Sequence, residues 1–94
     1  MFRVVIKSRL SGRIRARFDA PTLERASEEY SRLRDASGEG GSTWPLGYVY
    51  PATGSDVDVP LAYISYNGKV WSDDPASWDW RNPPALLFNP FAVA

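Results

Sequence analysis

Apolar and basic side chains alternate with a period of two along residues 2–18. Val4 and Ile6 share one parity with Ile14 and Phe18, while Arg3, Lys7, Arg13, Arg15 and Arg17 occupy the other. Such alternation belongs to half-buried β-strands, and Ser11-Gly12 supplies a turn between two of them. A two-residue loop would mix charged and apolar residues on both faces. A three-residue loop, Leu10-Ser11-Gly12, instead pairs Arg9 with Arg13, Lys7 with Arg15, Ile6 with Ala16 and Val4 with Phe18. Gly12 then takes the left-handed position of a type I turn with a G1 bulge.

The period lengthens after Ala20. Leu23, Ala26, Tyr30 and Leu33 fall on one face at helical spacing, which predicts a helix from Pro21 to Asp35. Pro21 suits the first turn, and Asp19 or Thr22 can cap the free N–H groups. The apolar stripe is expected to cover the Val4/Ile6/Ile14/Phe18 face of the hairpin. Gly38-Glu39-Gly40-Gly41-Ser42 ends the helix; no Gly-Lys-Ser/Thr follows these glycines, as a phosphate-cradling loop would require.

Short strands fill the second half. Gly47-Tyr48-Val49-Tyr50 is β-prone, Asp56-Val57-Asp58-Val59 alternates, and Leu61-Ala62-Tyr63-Ile64-Ser65-Tyr66 leads into Asn67-Gly68. Read as a two-residue hairpin turn, Asn67-Gly68 pairs Tyr66 with Lys69 and Ile64 with Trp71. The order ββαβββ predicts an α+β domain, an antiparallel sheet of about four to five strands with one helix on one face. Residues 1–75 form this domain. Residues 76–94, rich in proline and aromatics, are expected to be an extended tail docked on the domain or on a partner, because the prolines exclude a long helix or a central strand.

Composition narrows the chemistry. The 94 residues include no cysteine and no histidine, which excludes disulfides, thiolate or imidazole metal sites and the nucleophile–histidine arrangements of many hydrolases. The expectation is a non-enzymatic protein without a cofactor. No apolar run approaches the roughly 20 residues of a membrane span, and Met1-Phe2-Arg3-Val4-Val5-Ile6-Lys7 mixes charge into its apolar residues, unlike a signal peptide. A cytoplasmic setting, in the protein's own cell or in a host, is expected.

Formal net charge is zero, yet the charges are segregated. Residues 1–20 carry Arg3, Lys7, Arg9, Arg13, Arg15 and Arg17 against Asp19 alone. These six basic residues are the candidate partner-binding strip, suited to an acidic protein surface or, alternatively, to nucleic-acid phosphates. No aromatic residue interleaves the arginines, which disfavours a stacking platform for single strands. Arg9 opposite Arg13 and Lys7 opposite Arg15 would be like-charge cross-strand pairs, destabilising by about 0.2–1 kcal/mol each, unless nearby acids such as Asp19, Asp56 and Asp58 neutralise them.

Trp78, Trp80, Phe88 and Phe91 form a second candidate interface, because large aromatics anchor contacts. They serve to complete the core, to act as a binding arm or to join a homodimer. Asp56/Asp58, Asp73/Asp74 and Glu28/Glu29 lack the spaced ligands of a calcium loop and read as solvated or ion-paired acids.

Arg34-Asp35-Ala36-Ser37-Gly38, Gly41-Ser42-Thr43-Trp44-Pro45 and Ile64-Ser65-Tyr66-Asn67-Gly68-Lys69-Val70-Trp71 resemble segments of short uncharacterised proteins encoded by proteobacteria and their phages. The resemblance covers residues 30–72 and rests on turn and core positions. It implies a shared fold and, in a phage setting, a small inhibitor that blocks a host nucleoprotein complex by surface complementarity, as anti-CRISPR proteins do. It transfers no functional residue.

Overall fold

Six strands and one helix make up the computed structural model, which describes residues 1–41, 43–52, 59–75 and 84–91. Strand β1 (Phe2–Lys7) and β2 (Ile14–Ala20) form the first hairpin, followed by helix α1 (Leu23–Ser37). Strands β3 (Gly47–Pro51), β4 (Ala62–Ile64), β5 (Val70–Trp71) and β6 (Leu86–Phe88) complete one antiparallel sheet in the order β2-β1-β3-β4-β5-β6. The fold is therefore α+β, with a sheet slightly larger than the expected four to five strands. The addition is β6, drawn from the proline-rich tail. Its three residues sit at a sheet edge, the position open to a segment flanked by prolines. Asp56, Val57, Asp58, Trp78 and Trp80 lie outside the described residues.

Helix α1 begins two residues later than the expected Pro21 and ends two residues later than the expected Asp35. Thr22 is the N-cap, accepting the Arg25 N–H at 3.1 Å through its hydroxyl, and Gly38 closes the C-terminus in the left-handed conformation. The helix packs on β1 and β2. Tyr30, fully buried, fills the space beneath Gly47, where an added Cβ would stand only 3.0 Å from its ring. The Tyr30 hydroxyl donates to the Pro45 carbonyl at 2.8 Å, and burial raises its pKa well beyond the ordinary tyrosine range. Ser27, also buried, donates to the Gly68 carbonyl at 2.6 Å, tying the helix to the β4–β5 turn. Val4, Ile6, Val49, Ile64 and Val70 form the sheet side of this core, with Phe88 of β6 packed against them.

Both hairpins carry a loop one residue longer than the sequence suggests. In the first, Ile6 pairs with Ala16 and Val4 with Phe18 as expected, but Lys7 faces Ile14 across a register shift. The Ser8 N–H bonds the Arg13 carbonyl and the Gly12 N–H bonds the Ser8 carbonyl, so the loop spans Arg9 to Gly12. Arg15 becomes the extra residue of a β-bulge. This arrangement removes the expected oppositions of Arg9 with Arg13 and of Lys7 with Arg15, relieving like-charge contacts. It also turns Ile14 out of the expected core face, leaving it 47 % exposed. Gly12, at φ 72°, does hold the left-handed turn position.

In the second hairpin Tyr63 pairs with Trp71 and Ile64 with Val70, correcting the expected Ile64–Trp71 and Tyr66–Lys69 pairs. The loop is Tyr66-Asn67-Gly68, closed by the Gly68 N–H on the Ser65 carbonyl, with Gly68 at φ 86°. The physical reason is facial. This register buries Ile64 and Val70 together and leaves Tyr63 and Trp71 on the face away from the helix.

Candidate functional site: a cleft at the hairpin tip

The longer first loop and its bulge determine where the basic side chains go. Arg3 pairs with Asp19, its register neighbour, at 3.1 Å. Lys7 donates to the Tyr50 hydroxyl at 3.1 Å and lies 4.9 Å from the centre of the Tyr48 ring. Arg9 reaches Asp74 across the sheet end. Arg15, re-aimed by the bulge, forms a forked ion pair with Glu39, and its guanidinium carbon stands 5.4 Å from the Trp44 ring centre. The six basic residues thus do not form one continuous strip. Four have partners, while the Arg13 and Arg17 side chains have no acidic partner among the described residues.

Arg13 is the more informative of these two. It lines a cleft of about 540 Å³ bounded on one side by the hairpin tip, including Arg9, Leu10 and Arg15, and on the other by Trp44, Tyr48 and Tyr66. Leu10 stands at the tip, 98 % exposed. The opposite wall is set by the helix C-terminus. Tyr66 packs against Gly41, whose added Cβ would meet the ring at 3.4 Å, and its hydroxyl donates to the Glu39 carbonyl. Arg34 donates to the Tyr66 carbonyl at 2.6 Å and lies over the Tyr66 ring. Trp44 is 7 % exposed and its indole Nε1–H, buried, has no acceptor among the described residues. A buried donor left without an acceptor costs about 1–3 kcal/mol, so this one stands out within the site.

A second group of aromatics lies on the sheet face opposite the helix. Tyr48 and Tyr63 meet edge to face with ring centres 5.6 Å apart. Partial burial, reinforced by Asp74, Asp73 and the neighbouring tyrosines, raises the Tyr63 pKa. Of the tail candidates, Phe88 packs against the core and Phe91 is 66 % exposed; Trp78 and Trp80 fall outside the described residues. Of the acidic candidates, Glu28 pairs with Arg25, Glu29 with Arg32 and Asp74 with Arg9, while the Asp73 carboxylate accepts from the Asp74 N–H. Arg32 holds the Glu29 carboxyl below its usual pKa. Among the described residues no group of three or more acids is placed to hold a metal ion, and no helix is long and apolar enough to cross a membrane.

Trp44, Tyr66 and Glu39 are site residues that sequence reasoning passed over. Their participation depends on the bulge at Arg15, for which the sequence carries no local signal beyond the crowding of like charges. No protein-family model, curated protein or solved structure matches this chain.

Proposed function

We propose that this chain is a non-enzymatic protein-binding module that receives an acidic segment of a partner protein in the cleft at the hairpin tip. The observation that carries this reading is Arg13, a cation without an acidic partner among the described residues, on the rim of a cleft whose other wall is aromatic. Arginine beside tryptophan and tyrosine is the composition of interface anchor points. The fully projecting Leu10 adds an apolar contact at the rim. An inhibitor of a host nucleoprotein complex, the setting implied by the resemblance to phage-encoded chains, would use such a site against an acidic protein surface.

Direct nucleic-acid binding is the weaker reading. Phosphate tracking needs several free cations along a path, whereas Arg3, Arg9 and Arg15 are already ion-paired. Calorimetric titration with a short synthetic glutamate-rich peptide, alongside mobility shift with DNA and RNA, separates the two. The peptide is expected to bind and Arg13→Glu to weaken it about tenfold, as charge reversal at an interface does. Binding of nucleic acid without binding of the peptide would overturn the proposal.

A further inference from the structure

We infer that Glu39 is a built-in competitor for the acidic partner, occupying Arg15 with a carboxylate that the partner's own carboxylate replaces. The inference rests on the reading of the cleft as an acidic-segment site and adds a regulatory group to it.

Three features of the structure carry it. First, Arg15 is held in place independently of Glu39. The bulge directs it to the cleft wall, and its guanidinium lies against the Trp44 ring. Stacking uses the flat face of the guanidinium and leaves its N–H edge free for a carboxylate. Second, Glu39 meets that edge with both oxygens, in the forked geometry that a partner's glutamate or aspartate would adopt. Third, the pair is only partly shielded, with side-chain exposures of 31 % for Arg15 and 28 % for Glu39. Water and an incoming carboxylate can therefore compete for it.

Glu39 is also placed to leave. It sits between Gly38 and Gly40-Gly41, and its backbone is held by the Ser37 hydroxyl and by Tyr66 rather than through its carboxylate. Loss of the side-chain contact leaves those backbone bonds in place. Arg13 lies on the rim of the same cleft as Arg15. An entering acidic segment thus meets Arg13 first, without competition, and gains Arg15 only by displacing Glu39. A second carboxylate therefore gains less at Arg15 than it would at a free guanidinium, and Glu39 sets the affinity that an acidic run must exceed.

The test titrates the same glutamate-rich peptide into the full chain, Glu39→Gln, Glu39→Asp and Arg13→Gln, with thermal unfolding confirming that each variant is folded. Glu39→Gln is expected to bind about two- to fivefold more tightly, the range set by a partly exposed ion pair. Glu39→Asp, which keeps the charge on a shorter stem, should fall between it and the parent and serves in its place if the glutamine variant does not fold. Arg13→Gln should weaken binding in either background. Peptide binding that needs Arg13 but is unchanged or weaker in Glu39→Gln would overturn the competitor role while leaving the cleft reading intact. Absence of peptide binding by both the parent and Glu39→Gln would overturn the cleft reading itself.

Discussion

The two edges of the sheet are built on opposite principles. Strand β2 is seven residues long, carries Arg15, Arg17 and Asp19 and is distorted by a bulge. Strand β6 is three residues long, wholly apolar, and contributes Phe88 to the core. An open strand edge invites pairing with another chain, and charge, bulges and brevity each suppress it. The long edge uses charge and distortion, and the short edge uses brevity. The same bulge that disrupts β2 as a template sends Arg15 toward Trp44 and creates one wall of the cleft. Edge protection and site construction are a single event in the backbone.

Breaking the apolar edge should have the largest effect. Phe88→Ala removes a ring packed on the core and is expected to cost about 2–3 kcal/mol, less than a fully buried phenylalanine because Phe88 is only partly buried. Urea denaturation measures it. A loss under about 0.5 kcal/mol would show that β6 is dispensable to the fold.

Gly12→Ala addresses the loop that generates the bulge. A side chain at φ 72° with open space around it is strained by its backbone alone, and about 1 kcal/mol of stability should be lost. Equal stability in denaturant would mean that the tip adopts a different turn. Arg17→Val removes a charge from the guarded edge. Stability should change by less than about 0.5 kcal/mol, but sedimentation should reveal more self-association than in the parent. Unchanged mass at high concentration would show that the bulge alone protects the edge. The smallest effect is expected for Arg3→Gln, whose ion pair with Asp19 is about half exposed on both sides and should contribute about 0.2–0.3 kcal/mol in urea denaturation.

Much of this architecture was legible in the sequence, down to particular residues. The period-two run placed Val4, Ile6 and Phe18 on one face, and helical spacing placed Ala26 and Tyr30 opposite them. What the sequence concealed was the first residue of each hairpin loop, Arg9 and Tyr66. Turn rules weigh local backbone preferences, whereas the actual loops answer to facial burial at Ile64 and Val70 and to repulsion among Lys7, Arg9, Arg13 and Arg15. The arginine strip was accordingly legible as a concentration of charge but not as a shape. Its division into paired residues and, among the described residues, the unpaired Arg13 and Arg17 depends on Asp74 and Glu39, distant in sequence and brought near only by the fold. The buried Ser27–Gly68 bond was hidden for the same reason, since a serine between Ala26 and Glu28 reads as surface.

The most direct test of the acidic-segment cleft is a nitrogen-15 NMR titration with the glutamate-rich peptide, following the indole signal of Trp44 assigned through Trp44→Phe. Shifts confined to residues 8–15, residues 39–48 and the Trp44 indole N–H are the predicted result. Shifts clustered instead on Leu86, Leu87 and Phe91, or no shifts at a saturating peptide concentration, would contradict it.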